Sequence, residues 1–253
     1  KLIKNNQFDL AQKSLKSLKD NTQRSPLQQL ILNTIINWVK IENHKLGFDA
    51  SKEIFDDMNS RYANIKKIQN VFLNCYFDTP NTKKVFENLI NTESTDFSRY
   101  TFFYVNYLVK KNFKDKSFKI LNKSLSKVPR NLLLTQLYVD LKKDNIQKLN
   151  KQFDCKNVSN IIAELFYITG NALSTQGIYT ASNYYINLSK YLNPNFFYFD
   201  NLLAENFYLS GNIKKAKLIY FKMSKYGPIY NWHSNKQIAA IIIEDEKNIQ
   251  KAL

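Results

Sequence analysis

Apolar side chains recur at spacings of three and four almost throughout this chain. Phe102, Val105 and Leu108 form one such stripe, widened by Phe103 and Tyr107. Leu202, Leu203, Phe207 and Leu209 form another. This is the period of a helix that buries one face. The alternation of a half-buried strand is missing. Short polar breaks interrupt the pattern at Asn43–Gly47, Asp78–Asn81, Thr92–Asp96, Asn112, Val128–Arg130, Asn193–Asn195, Ser210–Asn212 and Tyr226–Pro228. Between most of them lie segments of ordinary helix length, and connections this short make neighbouring helices antiparallel. The prediction is an all-α chain of helical hairpins. The second helix between 130 and 160 is expected to be short, about Asn145–Phe153.

A period of 34 residues emerges in the last third. It relates Gly170 to Ala204, Leu173 to Phe207, Gly177 to Gly211, Tyr179 to Ile213, Ser182 to Ala216, Ile186 to Tyr220 and Pro194 to Pro228. Small residues at Gly170, Ser182, Ala204 and Ala216 let two helices approach, and large ones fill the grooves beside them. Gly177 and Gly211 fall where a first helix ends and a left-handed residue is wanted. The prolines block helix continuation. The stretch TGNALSTQGIYTAS therefore reads as a hairpin. A phosphate loop would have a strand before it and its glycines gathered in one turn.

A helix–turn–helix unit of this length, with these residues at these places, resembles the tetratricopeptide repeat. The match is specific over 163–228. A third copy is expected from about Asn231, with Ile238 and Ile241 in register. Upstream, NNQFDLAQKSL and LGFDASKEIF resemble second helices, and Asn112–Phe113 stands near the glycine turn of the hairpin at 97–128. The resemblance implies an α-solenoid with a right-handed superhelical path. It would span 1–253 as about seven hairpins, degenerate over 1–160 and closest to the family over 163–253. The run ELFYITGNALSTQGIYTASNYYINLSKYLNPNF is also similar to the C-terminal repeats of exported alphaproteobacterial members, with Tyr230 and Trp232 at a Tyr-x-Trp position. That likeness implies a bacterial envelope or periplasmic location; cytoplasm is the alternative. The chain lacks an initiating Met and starts within a helical pattern, which reads as a piece of a longer protein. Terminal repeats need covering, and KNIQKAL at the end reads as part of a further second helix.

The formal charge is +16, which admits nucleic acid or another polyanion as partner. Of 37 basic residues only Arg24, Arg61, Arg99 and Arg130 are arginine, the residue suited to bidentate base and phosphate recognition. Lysine is spread along nearly every helix, so polyanion binding is the second reading. No run of about 18 apolar residues provides a transmembrane helix. Cys75 and Cys155 form no disulfide framework or metal motif and read as two free thiols. His44 and His233 have no ligand partner at metal spacing, His44 in a loop and His233 on a helix surface. Asp56–Asp57 and Glu244–Asp245–Glu246 read as solvated helix faces or ends. No catalytic, cofactor or metal residue is expected, and the chain reads as a non-catalytic interaction scaffold.

What the resemblance implies about binding is a concave groove lined by first helices. The positions are Glu164, Tyr167, Asn171 and Ser174; then Tyr198, Asn201, Glu205 and Tyr208; then Trp232 and Asn235. The helix from 97 to 111 would add Arg99, Phe102, Asn106 and Lys110. Asn amides suit a peptide backbone, and Tyr gives apolar area with a polar tip. A protein or peptide partner is the expectation. The lysine clamp that chaperone-binding members use on a terminal carboxylate is missing.

Overall fold

Helix periodicity is realised along the described residues. The computed structural model describes residues 1–19 and 24–244, with Lys247 and Gln250. Among these residues there are fourteen α-helices and no strand. They are α1 (Phe8–Lys19), α2 (Pro26–Asn43), α3 (Phe48–Asp56), α4 (Ala63–Phe77), α5 (Thr82–Ile90), α6 (Tyr100–Lys110) and α7 (Lys114–Lys127). Then come α8 (Leu132–Lys142), α9 (Ile146–Gln152), α10 (Val158–Ser174), α11 (Tyr179–Leu192), α12 (Phe199–Leu209), α13 (Ile213–Met223) and α14 (Pro228–Glu244). The short helix expected near 145–153 is α9, of 7 residues. Asp245, Glu246 and most of the helix expected across 247–253 fall on residues outside the described ones.

The ends of first helices share one construction. Gly177 and Gly211 have φ of 75° and 77°, the left-handed region. The amide of Gly177 donates to the Ser174 carbonyl and that of Ile178 to Leu173; Gly211 and Asn212 repeat this on Tyr208 and Phe207. This is the paired bond of a Schellman cap, which satisfies carbonyls the helix leaves over. The same pair of bonds recurs at Asn112, Asp144 and Asp78, whose φ values are 61°, 56° and 55°, and at Asn6. Lys45, at φ 48°, keeps the longer bond, from the Leu46 amide to the Ile41 carbonyl. The steps are 33 residues from Lys45 to Asp78, 34 to Asn112, 32 to Asp144, 33 to Gly177 and 34 to Gly211. The sequence period seen only after 163 is thus a backbone period along the described chain.

Two compact units divide the chain. The first comprises Lys1–Tyr100 and Asp154–Leu165, the second Thr101–Phe153 and Phe166–Leu253. In the first, α1 to α5 pack in succession. Trp38 is fully buried, donates from Nε1 to Gln69 Oε1 at 2.7 Å and meets Phe55 with ring centroids 5.4 Å apart. Such a tryptophan combines a large buried area with a satisfied donor. Cys75 of α4 is bonded to Cys155, with Cα atoms 5.8 Å apart. This corrects the expectation of two free thiols. Linear spacing could not reveal it, because an 80-residue separation carries no short-range signal.

In the second unit α11, α12, α13 and α14 pack in succession, and α7, α8 and α9 do likewise. Small-residue contacts sit where the period places them. Gly170 lies against Ile186, its carbonyl accepts from Ser182 Oγ at 2.7 Å, and Ala204 and Ala216 are fully buried. Out of succession, α14 also packs on α8. The start of α14 and the turn before it seat on α8 and α9, with the Ile229 amide donating to Gln136 Oε1 at 3.1 Å and Lys148 Nζ to the Tyr226 carbonyl at 2.9 Å. A Cβ on Gly227, at φ 156°, would press on the end of the Gln136 side chain and displace it.

A methyl group added at Gly211 or Gly177 meets no atom within 4 Å, so its cost is purely conformational. Gly177→Ala and Gly211→Ala should each destabilise by about 1–2 kcal/mol. Gly47→Ala, at φ −71°, should stay within about 0.5 kcal/mol, with urea unfolding as the measurement. Thiol titration of the unfolded, unreduced chain should find no free thiol. Cys75→Ser with Cys155→Ser should lower stability by about 4 kcal/mol through the longer free loop of the unfolded chain.

Candidate functional site

The groove positions expected from the sequence divide into side chains that hold the fold and side chains that face solvent. Arg99 and Glu164 belong to the first group. They meet in the first unit as a bidentate ion pair, Nε to Oε1 and Nη2 to Oε2, both 2.7 Å. Glu164 is buried and Arg99 nearly so. Burial pushes the Glu164 carboxyl up, and the Arg99 guanidinium pulls it part of the way back. Both groups are committed to each other rather than presented to a ligand.

In the second unit Phe102 is buried among Phe103 and Phe196, its ring centroid 5.0 Å from that of Phe196. It is a core residue. Asn106 Nδ2 donates to the Leu149 carbonyl at 2.7 Å and Lys110 Nζ to the Phe153 carbonyl at 3.0 Å. The last carbonyls of α9 have no partner inside so short a helix, and α6 supplies donors and a positive charge to that end. Tyr167 is buried against Tyr198 and Phe199, with centroids 6.1 and 5.5 Å away. Ser174 Oγ donates to Asn206 Oδ1 at 2.5 Å; Asn206 Nδ2 donates to Ser182 Oγ at 2.7 Å and to Asn183 Oδ1 at 2.9 Å. Asn206, fully buried, links α10, α11 and α12 and is not among the expected positions. Its only sequence signal is an amide beside Glu205 in a mostly apolar stretch, LLAENFYL.

The second group is open to solvent. Asn171, Glu205, Trp232 and Asn235 are exposed, and Tyr198, Asn201 and Tyr208 are half-buried. They lie on α10, α12 and α14. The Ser174–Asn206 bond joins the first two helices, and Tyr208 Oη donating to Glu244 Oε2 at 2.9 Å joins the last two. Trp232 is 65% exposed and carries Lys236 Nζ 5.6 Å from its ring centroid. Asn235 Nδ2 donates to Asn231 Oδ1 at 2.9 Å. The Asn201 Oδ1 atom is buried without a hydrogen bond among the described residues. Glu205 is exposed by surface area, yet enough protein surrounds its carboxyl for desolvation to push it up. No known family model matches the chain, and no curated protein matches it. The functional reading therefore rests on this geometry and on the repeat.

The first unit contributes a groove that the repeat positions do not predict. Gln29, Asn33 and Asn37 follow one another at steps of four along α2, facing Ile54, Met58, Arg61 and Tyr62 across a cleft of about 590 Å³. Gln29 Nε2 donates to Asn33 Oδ1 at 2.8 Å. The sequence signal for it is a row of amides at i, i+4 and i+8 on a first helix. His44 follows the end of α2 with Nε2 3.0 Å from Gln12 Nε2, and burial beside Lys236 lowers the His233 imidazole. Asp56 and Asp57 are exposed. Among the described residues no helix is long and apolar enough to cross a membrane.

The Arg99–Glu164 pair sets a clear expectation. Glu164→Ala strands a guanidinium in the interior and should cost about 3–5 kcal/mol. The double variant Arg99→Met with Glu164→Leu removes both charges and should recover most of that loss. Urea midpoints of Glu164→Leu alone, Arg99→Met alone and the double variant measure the coupling.

Proposed function

We propose that the chain is a non-catalytic protein–protein interaction scaffold, an α-solenoid of tetratricopeptide-type hairpins. Its partner is a peptide or protein held along the first-helix faces of α10, α12 and α14. The observation that carries this reading is the left-handed helix cap repeated every 32–34 residues, with small-residue crossings at Gly170 and Ser182 and at Ala204 and Ala216. A repeat of that period makes first helices neighbours and lines them into one surface. Asn171, Asn201, Glu205, Tyr208, Trp232 and Asn235 then form the recognition stripe. It combines amides for a backbone, aromatic area and one carboxylate. The α14–α8 contact brings the last described helix onto an earlier one within the second unit, a contact beyond those of immediate neighbours.

The resemblance to exported repeat proteins points to an oxidising compartment, and the Cys75–Cys155 bond supports the same location, since such bonds persist outside the reducing cytosol. The lysine-rich surface supports the second reading, a binder of nucleic acid or another polyanion.

Crosslinking pull-down with this chain, followed by quantitative binding of the recovered material, tests the two readings against each other. Under the scaffold reading a protein is recovered, binding survives moderate salt, and Asn171→Ala with Tyr208→Ala weakens it at least tenfold. Recovery of nucleic acid with affinity falling steeply in salt, indifferent to those substitutions, would overturn it.

A further inference from the structure

A second surface lies on α13 and α14, apart from the stripe of first-helix residues. Leu218 and Phe221 expose 62% and 60% of their surface, unusual values for large apolar residues lying three apart on one helix face. With Ile213 and Ile238 they line a depression of about 550 Å³ whose rim carries Lys214 and Lys217. The buried side of α13 is already used: Ala216, Tyr220 and Met223 face the core. The charges of α13 and of the lining have one sign. Five lysines and no acidic residue occur between Ile213 and Tyr226, and Lys225 Nζ sits 5.1 Å from the Phe221 ring centroid.

We propose that this depression docks an amphipathic helix of a partner protein, one whose apolar stripe is flanked by Asp and Glu. The shape argues for a helix, because a concave apolar patch takes protruding side chains, as in helix-in-groove recognition. The lysine rim supplies the complementary field and selects acidic flanks. A second copy of the chain is disfavoured because each copy carries a formal charge of +16. A bilayer surface would meet the lysines but leave a concave space of about 550 Å³ unfilled. None of the four lining residues belongs to the groove stripe, so this surface and the groove fail or succeed independently.

The test uses the full chain and four probes. They are a labelled 18-residue helix with a Leu stripe and Glu flanks, its twin with Lys flanks, phosphatidylglycerol vesicles, and the chain itself in sedimentation. The expected result is binding of the Glu-flanked helix at least tenfold tighter than its Lys twin. Leu218→Ser with Phe221→Ser should weaken it at least tenfold at unchanged circular dichroism, and Lys214→Gln with Lys217→Gln several-fold. Asn171→Ala should leave this binding untouched. The proposal is overturned by no binding of the Glu-flanked helix, by equal binding of the twins, or by binding that survives the serine pair. Uptake by vesicles or self-association through Leu218 and Phe221, without peptide binding, overturns it as well.

Discussion

Every first helix in this protein has to stop, and the way it stops directs the helix after it. A helix end leaves carbonyls without donors, and a left-handed residue lets the next two amides turn back to them. The chain then leaves in the direction of an antiparallel return. That device stands between consecutive helices at Asp78, Asn112, Asp144, Gly177 and Gly211, with its longer bond alone at Lys45. Packing accompanies the turns: Gly170 lies against Ile186 and Ser182, and Ala204 and Ala216 share one buried core with Tyr220.

The helices were legible because a 3.6-residue period survives extensive substitution. The turns were legible only where glycine marks them. Asn112, Asp144 and Asp78 adopt the same conformation with side chains that tolerate it, and Lys45 does so with none of the usual signals. The repeat thus fades from the letters upstream while persisting in the backbone. The site was less legible, because solenoid positions specify a direction along a helix and not the group that stands opposite. Arg99, Phe102, Asn106, Lys110, Glu164 and Tyr167 point at other protein groups here, whereas Asn171, Glu205, Trp232 and Asn235 face water. The disulfide was illegible for a different reason, since two cysteines far apart in sequence disclose no pairing until a fold brings them together.

Several polar groups in the interior tie helices together. Asn206 bridges three helices, Gln136 receives the amide that opens α14, and Asn106 with Lys110 finishes α9. Each meets a backbone or hydroxyl group that helix geometry leaves unsatisfied, so each ties position as well as contributing a bond. Apolar repeats alone would allow hairpins to slide by a turn. These amides make one register preferable.

The first unit is discontinuous: its main stretch ends at Tyr100, and its last piece, Asp154–Leu165, is written after more than fifty intervening residues. A ribosome delivers the chain in order. The N-terminal hairpins therefore emerge lacking one segment of their own unit, and Cys75 emerges long before Cys155. For that interval the thiol has no native partner, and the surface it shares with Asp154–Leu165 stays uncovered. Synthesis in a compartment that oxidises thiols promptly would need either protection of Cys75 or a means of reversing wrong pairings. This makes the order of translation part of what this architecture demands of its cell.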